Sequence, residues 1–110
     1  MIKVRLYENA EGRIAGYSVS GHSGTAEYGK DIVCAGVSVL AQTALLGLLE
    51  QLHAAVDYRV ESGDMEVTLR DAPDDATENL LRTMLLGLRQ IAAQAPEAVS
   101  ISEQRDSARR

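Results

Sequence analysis

One cysteine, two prolines, no tryptophan and no phenylalanine stand in 110 residues. A lone thiol excludes an internal disulfide and a thiolate-rich zinc site. Four tyrosines are the whole aromatic content, so little flat surface is left on which single-stranded nucleic acid can stack. Cations are also the minority, with 11 Lys and Arg against 16 Asp and Glu and a formal charge of -5. Direct nucleic-acid binding needs a basic footprint that this balance lacks, whereas a basic protein partner suits it. Met1-Ile2-Lys3-Val4-Arg5-Leu6 has no apolar h-region and no small-residue cleavage site, so it does not read as a signal peptide. A lone thiol without an export signal leads to the expectation of a cytoplasmic protein.

What is present is an ordinary globular composition, 45% apolar and 25% charged, enough for one core and incompatible with overall disorder. Ile2, Val4 and Leu6 alternate with Lys3, Arg5 and Tyr7, the period of a half-buried strand. Glu8 to Gly12 reads as a turn. A second strand is expected from about Arg13 to Ser20, with Ala15, Tyr17 and Val19 on one face. From Gly21 to Gly29 there are three glycines, each costly to order, and this stretch reads as a mobile exposed loop.

Ile32 to Leu49 is a run of 18 residues without a charge, the minimum for a membrane span. Ser38, Gln42 and Thr43 inside it, and the lack of a basic cluster at its flanks, favour a soluble helix with no membrane partner. A helix apolar on nearly every side must be covered on nearly every side. One sheet in so small a domain cannot do this, so a second subunit is expected, a homodimer.

Val56, Tyr58 and Val60 alternate with charged residues, Ser62-Gly63-Asp64 turns the chain, and Met65, Val67 and Leu69 alternate again, a hairpin. Pro73-Asp74-Asp75 and Glu78 read as a helix start, with acids at the positive end of the dipole. Leu80, Leu81, Met84, Leu85, Leu88, Ile91 and Ala92 keep a helical period that Pro96 closes. Val99 and Ile101 suggest a last strand. The expected fold is α+β in the order ββαββαβ, one sheet of about five strands with two helices. It forms a single domain over 1–102, and the polar tail 103–110 is expected to fray.

Several residues could carry chemistry. With Asp31 as helix N-cap, Cys34 falls at the third helical position, where free N–H groups and the dipole favour a thiolate. It can then be an activated nucleophile or a small buried filler. His22, on the glycine loop leading into that helix, is placed either to exchange a proton with the thiol or simply to face solvent. Asp31 reads as the cap or as the group that orients His22. Ser38, one turn past Cys34, either back-bonds to the Cys34 carbonyl or lines a site beside the sulfur. Gly21, Tyr28 and Gly29 are candidate substrate contacts by position. His53 suits the negative end of the long helix. Asp71, Asp74 and Asp75 read as helix-start acids, and no phosphate-loop, dinucleotide or zinc-protease motif is present, so neither metal nor cofactor is expected.

Gly21-His22, then Gly29-Lys30-Asp31-Ile32-Val33-Cys34-Ala35, then Val37-Ser38 resembles the ribosomal-processing cysteine protease family, Prp. The similarity extends over most of the chain. It implies His22 and Cys34 as the catalytic pair, no cofactor, and a small α+β homodimer. It also implies, as substrate, a large-subunit ribosomal protein carrying a short N-terminal extension. Two other readings stand beside it: a non-enzymatic, homodimeric ribosome-associated binding protein with Cys34 merely packed, and a thiol redox sensor.

Overall fold

Alternating apolar residues build five strands, and the two helices lie against one face of the sheet they form. In chain order the elements of the computed structural model are β1 (Ile2–Glu8), β2 (Ile14–Ser20), α1 (Tyr28–Leu46), β3 (Val56–Glu61), β4 (Asp64–Leu69), α2 (Asp75–Gln94) and β5 (Val99–Arg105). A π-helical turn, Gly47–Gln51, prolongs α1. The structure describes residues 1–21 and 28–110, and within them the side chains of all but 28–31. The α+β order expected from the sequence is the order observed.

The sheet runs β3-β4-β2-β1-β5. β1 is antiparallel to β2 and parallel to β5, while β4 is antiparallel to both β2 and β3. Ile2, Val4 and Leu6 of β1 are buried, and Val19 and Tyr17 of β2 stand opposite Val4 and Leu6. Met65, Val67 and Leu69 of β4 extend that layer. Val37, Ala41 and Leu48 of the first helical segment and Leu81, Leu85 and Leu88 of α2 close over it. Each buried leucine is worth about 1.5–3 kcal/mol, so this layer, rather than helix propensity, fixes where α1 and α2 sit. The helices key into each other reciprocally. A side chain at Gly87 would press on Leu40, and one at Gly47 on Leu80, at 3.0 Å in both places.

The start of α2 is as the acids foretell. Asp74 caps it, accepting from the Thr77 N–H at 2.9 Å while Thr77 Oγ1 accepts from the Asp74 N–H at 3.0 Å. No metal-ligating cluster occurs among the described residues.

Two expectations need correction. First, α1 begins at Tyr28, not after Asp31. Asp31 is therefore inside the helix rather than its N-cap, and Cys34 is its seventh residue. A single glycine costs a helix only about 1 kcal/mol, so Gly29 does not stop a segment anchored by so much apolar surface.

Second, 103–110 is not frayed. Pairing with β1 carries β5 to Arg105, and the charged residues find partners. Glu103 meets Arg82 and Arg89, the Asp106 N–H donates to the Glu8 carbonyl at 2.7 Å, and Arg109 stacks 4.2 Å from the Tyr7 ring centre. The domain therefore takes in residues beyond 102.

As expected from the sequence, one chain does not cover the apolar run on every side. Ile32–Gln51 is long and apolar enough to cross a membrane, yet only 28% of its most apolar window is buried. Ile32, Val39 and Leu46, one above the other at seven-residue spacing, are more than half exposed.

Candidate active site

Helix α1 sets Cys34, Ser38 and Gln42 at successive turns, and all three line a cleft of about 470 Å³. The β3–β4 turn from Val60 to Met65 forms the opposite wall, and Ile2, Val19 and Gly21 close one end. Cys34 is a free thiol, half-buried. The wall is apolar at Val19, Val37, Ala41 and Met65, and its rim carries Glu61 and Asp64. Arg59 bridges both rim acids, and its hydrogen bond to Asp64 holds the guanidinium charged more firmly than usual.

Gly21 fixes how the chain leaves β2. Its φ is +93°, where a side chain is strained, and a Cβ there would collide with the Met1 carbonyl. Its N–H donates to the Gly63 carbonyl at 3.0 Å, tying the strand exit to the far wall. The residue immediately before His22 therefore stands in the same cleft as Cys34.

The structure thus brings together three of the residues singled out in the sequence: Gly21, Cys34 and Ser38. His22 lies outside the described residues. Tyr28 and Gly29 open α1, but the side chains of Tyr28 and Asp31 also lie outside the description. Because α1 starts at Tyr28, the free N–H groups of its end are more than a turn from Cys34. The dipole effect fades within the first turn, so it does not act on this thiol as an Asp31 cap would have had it. Ser38 makes no bond back to the Cys34 carbonyl; its oxygen accepts from Gln42 Nε2 at 2.8 Å. Gln42 was not among the sequence candidates, although its four-residue spacing from Ser38 put it within reach. The Val60–Met65 wall had no local signal, since it faces Cys34 only through the pairing of β4 with β2.

The relatives define the class, a cysteine protease and so an endopeptidase of the hydrolase class. A family model described as cysteine protease Prp matches residues 1–100. The ribosomal processing cysteine protease Prp of Staphylococcus aureus is 30% identical over 105 residues, 93% of this chain and 98% of that protein. The crystal structure of an essential ribosomal processing protease Prp from S. aureus, in complex with a covalently linked product peptide, superposes with a TM-score of 0.85 at 27% identity. That match covers 94% of this chain and 100% of the other. SMU.848 from Streptococcus mutans superposes at 0.84 with 28% identity, covering 96% of each. The chain belongs to the cysteine protease Prp family.

Proposed function

We propose that this chain is a cytoplasmic processing protease that removes the short N-terminal extension of a large-subunit ribosomal protein, using Cys34 and His22. The observation that carries the reading is the shared cleft, with Cys34 on one wall and Gly21, the residue next to His22, at its end. The Cys34 proton passes to the His22 imidazole as the sulfur adds to the scissile carbonyl carbon. Collapse breaks the C–N bond, the imidazolium protonates the leaving amine, and a thioester joins Cys34 to the acyl part. Water then gives a proton to His22, adds to the thioester carbonyl, and releases the carboxylate as the thiol is restored. A chain of net charge -5 attracts a basic ribosomal substrate. Placement of Cys34 in a cleft, in a protease family, favours the nucleophile over a packed cysteine or a redox sensor.

The test is to incubate the protein with the N-terminally extended ribosomal protein of the same organism and weigh the products. Cleavage should disappear in both Cys34→Ala and His22→Ala, with the fold unchanged. Cleavage at the wild-type rate by either variant would overturn the dyad.

The same reading includes a homodimer. Ile32, Val39 and Leu46 form an exposed apolar stripe on α1, and a second copy of this chain is the occupant that family membership favours. Leu45 and Leu48 are core residues, so a charge there reports on folding. A charge at Val39 or Leu46 should instead halve the solution mass of a folded protein. A wild type that sedimented as a monomer at micromolar concentration would sink this part of the reading.

A further inference from the structure

A serine inside a helix ordinarily spends its proton on the carbonyl one turn back. Ser38 does not. Among the described residues its hydroxyl oxygen has one hydrogen-bond partner, the Gln42 side-chain amide at 2.8 Å. The amide nitrogen only donates, so the serine oxygen accepts there and keeps its own proton for another direction. With the carbonyl behind it unused, the open direction is the cleft that Ser38 shares with Cys34.

We propose that Gln42 is a positioning residue that turns the Ser38 proton into the cleft, where it donates to the substrate carbonyl oxygen as that oxygen gains negative charge. The inference rests on the reading of Cys34 as the nucleophile. It gives the reaction a side-chain donor on the same helix as the sulfur, in a fold where the N–H groups of the helix end are too far back to serve. Gln42 touches no reacting atom; it acts through Ser38. Donors aimed at developing negative charge act on the transition state more than on the ground state, so the effect belongs in kcat and not in KM.

Steady-state cleavage of the N-terminally extended ribosomal protein tests this with three single variants and two double variants. Ser38→Ala should lower kcat about tenfold, below the full effect of a water-excluded oxyanion donor because the cleft is open. KM should stay within about twofold. Gln42→Glu has nearly the same shape, but its ionised carboxylate only accepts, so it pulls the Ser38 proton out of the cleft. It should match Ser38→Ala in kcat. Gln42→Leu, which frees the hydroxyl without capturing it, should lose about threefold, about half of the barrier change that a tenfold effect represents. In a Ser38→Ala background, Gln42→Glu and Gln42→Leu should change nothing further.

Wild-type kcat in Gln42→Glu would overturn the inference and leave the protease reading standing. So would a Gln42→Glu defect that persists undiminished when Ser38 is already alanine, since that defect would come from charge or folding. A wild-type protein inert on this substrate would overturn the reading of the site and the inference with it.

Discussion

The Tyr17 hydroxyl donates to the Ala41 carbonyl at 2.8 Å in the buried core, so a central strand is bonded directly to the helix turn that lines the cleft. Ala41 stands one turn beyond Val37 and two turns beyond Cys34 on α1. The bond therefore sets the height of α1 over the sheet, and with it the separation of the cleft walls.

Tyr17→Phe should cost about 0.5–1.5 kcal/mol at neutral pH, the net worth of one buried hydrogen bond. Burial pushes the Tyr17 hydroxyl well above its ordinary value near 10. A raised folded-state value means that the contribution is whole below about pH 10 and is lost above it, as the unfolded chain ionises while the folded one does not. Denaturant melts from neutrality to alkaline pH should show wild type and Tyr17→Phe converging above about pH 10. A gap that stays constant across that range would contradict this account.

Arg82 gathers three carboxylates: Nη2 reaches Glu8 at 3.0 Å, Nε reaches Glu78 at 3.0 Å and Nη1 reaches Glu103 at 3.2 Å. It also donates to the Gly12 carbonyl at 2.8 Å. One residue thus ties α2 to β1, to β5 and to the β1–β2 turn. Its side chain is 35% exposed, so solvent screens part of the interaction. Arg82→Met should cost about 1–3 kcal/mol, more than an exposed ion pair. Calorimetry showing an unchanged melting temperature would rule out a supporting role.

His53 occupies a position where glycine is usual. It follows the helical segment with φ +50°, and the next N–H, from Ala54, donates back to the Leu48 carbonyl at 2.8 Å. A left-handed conformation costs a residue with a Cβ about 1–2 kcal/mol. His53→Gly should therefore raise stability by about 1 kcal/mol and leave cleavage untouched. Lower stability in that variant would mean that the imidazole makes up for the strain.

Gly21→Ala combines a forbidden φ with a collision against Met1. The expected loss is about 1–3 kcal/mol, together with a fall in kcat/KM larger than the unfolded fraction explains, because the chain would leave β2 in another direction. Full activity in a folded Gly21→Ala protein would show that the strand exit does not position the residue after it.

The hairpin of β3 and β4 was legible because its period-two alternation is broken only at Ser62-Gly63-Asp64, and the start of α2 because Asp74 and Thr77 cap each other. Alternation tells which face a residue takes but not which strand lies beside it. The parallel ladder of β1 with β5 was therefore invisible, and with it the anchoring of Glu103 to Arg110. Asp31 imitated a cap because it is the last acid before the apolar run, whereas packing extended the helix back to Tyr28. At the site, Cys34 was legible as a candidate from one thiol beside a glycine segment and from the Gly21–Ser38 pattern. The wall from Val60 to Met65 depended on sheet order, and Gln42 had no reason to stand out among the polar residues of α1.

The pairing of Ile2 with Val99 through Glu8 with Arg105 also bears on how the protein is born. β1 emerges early in synthesis but keeps one edge open until β5 has followed α2 out, so the sheet's longest-range ladder is also its last to close. Contacts so distant in sequence slow folding, and an open apolar strand edge invites pairing with other chains. A fragment ending before β5 would lack both that ladder and the Glu103 partner of Arg82. Closure of the sheet therefore waits until β5 has been made.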